Sequence, residues 1–430
     1  MEVNYVKDLL DFIYKSPTAF HAVNNVEKIL LTEGFKELKE YDKWNLEKRG
    51  KYFIKKNNSA FIAFIIGEEK VSENGFKIIG AHTDFPSFKL KPNSEILNGD
   101  KYLRLNTEVY GGAILNTWMD RPLSIAGRIV LESNNPLEPK EKFININKPL
   151  FIIPNLAIHM NRNVNKGIEL NAQKDILPLM TVEGENLKEG ILEEIIKKEL
   201  ELNNEEILSY ELSLYEFDKG TLMGLNNEFI SSSRLDNLAM VHAGVKAIFN
   251  SKVSNGTNVL ACFDNEEVGS STKQGADSQL LSSVLERIVE KEEKGREAYL
   301  RALSKSFLIS ADLAHAVHPA AFEKADPINR PIINKGPVIK VSERKSYTSD
   351  SVSSSIYKQI CKKANVPYQI FTNRSDERGG STIGPISSRH LNINSVDVGS
   401  AVLAMHSIRE FGGSKDHYYI IKSFEEFYNL

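Results

Sequence analysis

Residues 259–269 read Val-Leu-Ala-Cys-Phe-Asp-Asn-Glu-Glu-Val-Gly, a short apolar run followed by two adjacent carboxylates. The apolar part predicts a buried strand, and in an α/β sheet ligands usually bind beyond the ends of strands. Neighbouring side chains of an extended or tightly turning chain point to different sides, so Glu266 and Glu267 are expected to differ in role. A hydrolytic metal site needs one carboxylate as ligand and a second, unliganded one that accepts a proton from water. Taken alone, the Glu-Glu pair also fits a solvated turn.

A second predicted strand, residues 76–80, runs into Ala81-His82-Thr83-Asp84. Residues two apart on an extended chain point the same way, so His82 and Asp84 are expected to share one face. A histidine ligand commonly has its other ring nitrogen held by a carboxylate. His82 therefore fits the role of a metal ligand, and Asp84 that of the group that orients its ring.

Other predicted elements also end or begin at polar residues. Asp312 follows the apolar run 307–311, and His406 lies beyond the run 393–398. Asp236 stands near the start of an apolar-periodic helix, where aspartate is also favoured as an ordinary cap. Together these candidates give two histidines, two aspartates and a glutamate, a nitrogen and oxygen set suited to zinc, with cobalt and manganese as alternatives.

At this point the sequence resembles, along essentially its whole length, the aspartyl aminopeptidase and aminopeptidase I family of dinuclear zinc exopeptidases. The resemblance rests on short motifs in a common order: residues 16–21, 81–84, 158–162, 234–237, 263–269, 311–315, 336–340, 381–385 and 405–407. One departure is the loop Arg374-Ser375-Asp376-Glu377-Arg378-Gly379-Gly380, which stands where the family has a small-residue turn after an Asn-Asp pair.

The resemblance implies a site for two zinc ions. The implied ligands are His82 and Asp312 on one ion, Glu267 and His406 on the other, and Asp236 as the bridge. Glu266 is implied as the general base, which takes a proton from a water shared by the metals so that hydroxide attacks the first peptide carbonyl. Asp84 is implied to hold His82.

The resemblance also implies residues that contact or select the substrate. His159 is implied to reach the active site of a neighbouring subunit, although its segment also fits a strand that ends in a surface histidine. Lys340 is implied to lie near the substrate pocket and to favour acidic amino-terminal residues, although it also fits a solvated lysine at a strand end. Tyr347, Asp376 and Gly380 are further candidate contacts. Glu377 and the altered loop favour the alternative, a preference for neutral aliphatic residues such as Leu.

Composition and charge exclude several classes of protein. The chain has 430 residues, of which 41% are hydrophobic and 26% charged, as is ordinary for a globular protein. A net charge of -3 without a long basic run argues against nucleic acid as a partner. The most apolar run, residues 61–66, is too short to span a membrane. Two cysteines are too few for a disulfide framework, and the amino terminus lacks the order of a signal peptide, so a cytoplasmic protein is expected.

The distribution of motifs predicts a discontinuous catalytic domain. Residues 1–90 and 226–430 are expected to form it, as an α/β fold with a mixed sheet flanked by helices. Residues 91–225 are expected to form an inserted, mostly β domain for covering the site and for oligomerisation. Leu208, Tyr210, Leu212 and Leu214 alternate with polar residues there, and residues 191–200 fit an amphipathic helix.

The expected function is therefore a metal-dependent aminopeptidase that acts on peptides, assembled as a homo-oligomer such as a tetrahedral dodecamer. Two alternatives stay open. A deacylase or amidohydrolase on the same scaffold would cleave N-acyl amino acids, and a non-catalytic shell protein would keep only the assembly.

Overall fold

The computed structural model describes residues 2–99, 101–182, 190–203, 205–377 and 379–430. These divide into two compact units. The first comprises Met1–Asp84, Gly220–Met405 and Glu410–Leu430, and the second comprises Phe85–Lys219 and His406–Arg409. The first unit is interrupted after Asp84, and the second unit's main segment ends at Lys219. Both positions lie a few residues before the boundaries expected at 90 and 225. The inclusion of residues 406–409 in the second unit was not expected.

The helices are α1 (Glu2–Tyr14), α2 (Ala19–Thr32), α3 (Val71–Asn74), α4 (Ile191–Glu199), α5 (Leu235–Asn250), α6 (Leu280–Glu292), α7 (Arg296–Ser304), α8 (Ser351–Lys363), α9 (Ile383–Leu391) and α10 (Ser414–Asn429). Each helix within the part of the chain that the structure describes is too short or too polar to cross a membrane.

The strands are β1 (Lys36–Glu37), β2 (Lys51–Lys56), β3 (Ala60–Ile65), β4 (Phe76–His82), β5 (Ser87–Asn98), β6 (Tyr102–Tyr110), β7 (Leu123–Leu131), β8 (Lys140–Asn145), β9 (Leu179–Val182), β10 (Ile207–Glu216), β11 (Thr221–Met223), β12 (Phe229–Ser232), β13 (Thr257–Phe263), β14 (Phe307–Ala311), β15 (Ala314–His315), β16 (Val338–Val341), β17 (Gln369–Thr372), β18 (Asn394–Gly399), β19 (Ala401–Leu403) and β20 (Glu410–Gly413).

The first unit is built on a nine-stranded sheet in the order β1-β2-β3-β13-β4-β14-β18-β16-β17. Its strands β13, β4, β14 and β18 are parallel, whereas β3 and β16 run antiparallel to their neighbours in this group. The sheet is therefore mixed, as expected. A smaller sheet of this unit has the order β11-β12-β20-β19-β15.

Helices cover both faces of the large sheet, which explains why its central strands are continuously apolar. Val259, Ala261 and Phe263 of β13 belong to a core cluster that includes α6 and α7. Leu260 faces the other way, and a Cβ on Gly244 of α5 would lie 2.5 Å from it. A glycine at that position lets α5 approach the sheet closely.

The second unit contains a six-stranded antiparallel sheet in the order β8-β7-β10-β5-β6-β9, with α4 contributing to its core. The alternation expected along β10 is wrong at Leu208, whose exposed fraction is 54%. The register between β10 and β7 shifts between Ile207 and Ser209, which is the mark of a β-bulge. A bulge adds one residue to a strand and so changes the face on which the preceding side chains lie.

Candidate metal centre

His82 is the last residue of β4. One nitrogen of its imidazole contacts Asp84, and the other faces the carboxylates of Asp236 and Asp312. Nδ1 lies 3.3 Å from Asp84 Oδ1 and 3.1 Å from the Asp84 carbonyl oxygen. Nε2 lies 3.5 Å from Asp236 Oδ1 and 3.7 Å from Asp312 Oδ1. Only 1% of the side chain is exposed. This geometry leaves Nε2 directed into the cluster of carboxylates that a cation would require.

Asp84 also organises the turn that carries both glutamates. Its Oδ1 accepts the backbone N–H of Glu266 at 3.1 Å, and its Oδ2 accepts that of Glu267 at 3.2 Å. The turn is a 3-10 segment, Glu266–Val268, entered through Asn265 in the left-handed conformation. One carboxylate therefore orients the His82 ring and fixes the position of the Glu-Glu pair, and only the first of these roles was expected from the sequence.

Asp236 lies at the start of α5, where the chain is kinked. The helix N-cap is Arg234, and Asp236 has non-helical torsions of φ -80° and ψ 108°. The Asp236 N–H donates to Glu410 Oε2 at 2.8 Å, which places a carboxylate of β20 behind it. Sequence reasoning missed Glu410, because no local pattern relates residues 174 positions apart.

Asp312 follows β14 and divides its two oxygens between different partners. Oδ1 faces His82, and Oδ2 accepts a hydrogen bond from Lys340 Nζ at 3.3 Å. The same ammonium donates to the Leu313 carbonyl at 3.1 Å. Only 2% of the Lys340 side chain is exposed, so the solvated-lysine alternative is wrong. Its strand β16 lies between β18 and β17 in the large sheet.

Burial and mutual repulsion raise the pKa values of the two glutamates in the cluster. Burial, together with the nearby Asp312, raises the pKa of Glu266 to about 8 even though His82 opposes the shift. Burial and Asp236 raise the pKa of Glu267 well above its ordinary value. Carboxylates held together in this way repel each other unless a cation lies among them. The cluster therefore gains from a bound metal ion.

The donor atoms fit zinc in kind and in spacing. Ligand atoms of His82, Asp236 and Asp312 lie within 4.8 Å of one another, as do those of His82, Glu266 and Glu267. Oxygen atoms of Asp236 and Glu267 also lie within 4.8 Å of each other. One imidazole nitrogen with several carboxylate oxygens is a donor set that zinc accepts.

Two expected site residues belong to the second unit. His406 has φ 67° and lies directly after Met405 of the first unit, and its Nδ1 lies 3.2 Å from the Gly112 carbonyl oxygen. His159 lies in a turn, residues 158–160, within an exposed segment. The strand end expected for His159 is therefore wrong, and the metal-binding role of His406 stays a prediction.

The candidate substrate contacts differ widely in their surroundings. Tyr347 is buried, 6.2 Å from the Phe371 ring and 5.3 Å from Lys340 Nζ. Asp376 is exposed and accepts hydrogen bonds from Arg374 at 2.6 and 2.9 Å. Gly380 lines a cavity of about 300 Å³. Arg378 of the same loop lies outside the described residues.

Comparison with known proteins places the chain in a family. Residues 12–428 match the family model described as "Aminopeptidase I zinc metalloprotease (M18)". The chain is 60% identical over 430 residues to a protein from Clostridium novyi (strain NT) named "Probable M18 family aminopeptidase 2", and the match covers 100% of this chain and 99% of that protein. It is 41% identical to a protein of the same name from Pseudomonas savastanoi pv. phaseolicola, over 98% of this chain and 97% of that one.

Solved structures agree with this family. A chain of the Ape4 and Nbr1 complex has a TM-score of 0.95 and 36% identity, with 99% of this chain and 86% of that chain covered. A chain of the S. cerevisiae mApe1 dodecamer has a TM-score of 0.83 and 28% identity, with 98% and 95% covered. The chain belongs to the M18 family of zinc aminopeptidases.

Proposed function

We propose that the chain removes amino-terminal residues from peptides with Glu266 as general base, at a site for two zinc ions. The observation that carries the proposal is the buried set of His82, Asp236 and Asp312 with Glu266 Oε2 only 3.9 Å from His82 Nε2. Zinc bound there would polarise the scissile carbonyl and lower the pKa of water. Manganese or cobalt would suit the same donors, so the metal itself is to be measured.

In this proposal Glu266 moves protons and is not a metal ligand. Its Oε2 lies 3.9 Å from His82 Nε2, farther than the nearest oxygens of Asp236 at 3.5 Å and Asp312 at 3.7 Å. Glu266 takes one proton from the water that attacks the carbonyl carbon. It then returns that proton to the amine that leaves as the peptide C–N bond breaks. Asp84 Oδ1 accepts a hydrogen bond from the backbone N–H of Glu266 and so holds Glu266 in place.

The remaining ligand roles follow the same proposal. Asp236 would bridge the two ions, since its carboxylate oxygens lie within 4.8 Å of ligand atoms of both His82 and Glu267. His406 completes the second ion with Glu267. Replacing Asp236 should therefore lower the occupancy of both ions, whereas His406→Ala should lower mainly one. Equal and complete occupancy in both variants, measured as metal per chain, would contradict the bridging role.

For the amino-terminal residue we propose a preference for acidic side chains, with Lys340 as the attracting charge. A buried ammonium interacts more strongly with a carboxylate than an exposed one does. Its pairing with Asp312 supports the alternative, a neutral aliphatic preference, because Asp312 already balances part of the lysine charge. Glu377, which lines the cavity near Gly380, supports the same alternative.

We further propose a homo-oligomeric enzyme, such as a dodecamer, in which His159 acts on the site of a neighbouring subunit. The similar S. cerevisiae mApe1 structure is that of a dodecamer. The exposed segment around His159 carries apolar side chains at Leu156, Ile158 and Met160, which suits a surface covered by another subunit.

Both cysteines, Cys262 and Cys361, are free and buried, which supports a reducing compartment such as the cytoplasm.

The test compares matched substrates with the zinc-loaded protein. Release of p-nitroaniline from Asp-, Glu- and Leu-p-nitroanilides is compared with release of acetate from the acetylated forms N-acetyl-Asp, N-acetyl-Glu and N-acetyl-Leu. An aminopeptidase cleaves only the p-nitroanilides, which have a free amino group. Faster cleavage of the acetylated forms would establish the deacylase alternative, and no cleavage of either would favour the non-catalytic shell protein.

A further inference from the structure

Asp397 is a completely buried carboxylate that the proposed chemistry does not use. It lies on β18, in register with Ser310 of β14 on one side and Lys340 of β16 on the other. Its exposed fraction is 0%. Burying a carboxylate is unfavourable unless hydrogen bonds or opposite charges compensate for the lost water. Its partners therefore indicate what the group does.

The Asp397 carboxylate is hydrogen-bonded from three directions. Oδ1 accepts from Ser310 Oγ and from Thr382 Oγ1, each at 2.6 Å. Oδ2 accepts the backbone N–H of Thr348 at 2.5 Å. The Asp397 N–H in turn donates to Ser349 Oγ at 2.9 Å. One residue thus joins the central sheet to two separate loops.

These two loops carry the candidate substrate contacts. The loop between β16 and α8 contains Tyr347, which directly precedes Thr348. The loop between β17 and α9 ends at Thr382 and contains Gly380, which lines the cavity of about 300 Å³. The loops are also linked directly, because Ser381 Oγ donates to the Ser346 carbonyl at 3.2 Å.

The first turn of α9 packs directly against the Asp397 carboxylate. A Cβ on Gly384 would lie 2.6 Å from Asp397 Oδ2, closer than any side chain can approach. The glycine therefore allows α9 to begin against Asp397. Thr382, the N-cap of that helix, also accepts the Gly384 N–H at 3.3 Å.

We propose that Asp397 is a positioning residue for substrate selection, which holds the loops bearing Tyr347 and Gly380 at a fixed distance from each other and from Lys340. It does not touch the substrate. Because both loops depend on one carboxylate, loosening either contact changes the shape offered to the amino-terminal side chain. This inference rests on the proposed aminopeptidase function.

Thr382→Val tests the proposal with little change in shape. It removes one hydrogen bond to Asp397 and one helix cap. Thr18→Val is the matched control, because Thr18 caps α2 through the His21 N–H at 3.4 Å with the same side chain. Asp397→Asn is the second variant, which keeps the shape but removes the charge. The readouts are kcat and KM for the Asp and Leu substrates, zinc per chain, and Tm.

In Thr382→Val we expect the ratio of KM for the Asp and Leu substrates to change about fivefold, as one lost hydrogen bond allows. Zinc content and kcat for the better substrate should be retained, and Asp397→Asn should shift the ratio in the same direction. Thr18→Val should lower Tm without changing the ratio. If the wild type is active and Thr382→Val has the same KM ratio as Thr18→Val, the role of Asp397 is overturned and the aminopeptidase function is not. A wild type that cleaves no substrate with a free amino group overturns both proposals.

Discussion

Glu266 and Glu267 are adjacent in sequence, yet the structure gives them different surroundings and the proposal gives them different roles. Glu266→Gln keeps the size of the side chain but cannot accept a proton. We expect it to retain zinc and to lose turnover by about 100- to 10,000-fold, the usual contribution of a general base. Zinc per chain and kcat are measured on the same sample. Glu267→Gln is the control, since loss of a ligand should lower zinc content. Near-normal kcat in zinc-loaded Glu266→Gln would contradict the role of Glu266.

Lys340 has two roles that one substitution can separate. Lys340→Met removes the ammonium that holds Asp312 Oδ2 and that would attract an acidic substrate. If Lys340 selects the substrate, kcat/KM should fall more for Asp and Glu substrates than for Leu. Losing one partner of a buried ion pair is strongly unfavourable, so zinc content is measured as well. An equal fall for all three substrates, together with lower zinc content, would mean that Lys340 acts only by orienting Asp312.

At the scale of elements, three helices of the first unit meet at a polar cluster that contains two buried histidines. His242 of α5 lies 2.9 Å from His417 of α10 and 3.3 Å from Asp8 of α1. Lys246 of α5 also forms an ion pair with Asp8. Burial lowers the pKa of His242 and of His417 below 6.5, although Asp8 opposes both shifts. The folded protein therefore favours the neutral form of both imidazoles.

This cluster predicts that the protein loses stability in mild acid. As pH falls through the range in which a free imidazole titrates, the unfolded chain binds more protons at these two imidazoles than the folded chain does, so the free energy of unfolding decreases. The slope is at most about 1.4 kcal/mol per pH unit for each imidazole. In urea unfolding between pH 7 and pH 5, His417→Gln should show a shallower dependence than wild type. His318→Gln, at an exposed position, is the control. An unchanged slope in His417→Gln would contradict the assignment.

The sequence predicted those elements whose signal is local. The apolar run that ends at Phe263 and the spacing of His82 and Asp84 led to the right strands, because side-chain alternation depends only on neighbouring residues. The residues that contact and position the site residues from distant parts of the chain could not be predicted from such local patterns. Glu410 reaches Asp236 from β20, and Asp397 connects loops that are distant in sequence. The bulge at Leu208 was missed because a register shift depends on the partner strand.

At the scale of the whole molecule, the proposed assembly predicts that active sites are completed by a neighbour. His159→Ala should lower turnover while zinc is retained, because His159 lies on an exposed turn of the second unit. Mixing this variant with Glu266→Gln, after subunit exchange, should partly restore activity. Random mixing gives roughly a quarter of the sites an intact Glu266 beside an intact His159 from the neighbour.

The control for this experiment mixes two variants of the same unit, Glu266→Gln and His82→Ala. Both side chains belong to one candidate centre within one chain, so no arrangement of subunits can rebuild a complete site from them. Restored activity in the first mixture and none in the second establishes that His159 acts between subunits. Exchange is verified with differently tagged chains before the rates are compared. If exchange is complete and the first mixture stays as inactive as the second, His159 does not act on a neighbouring subunit.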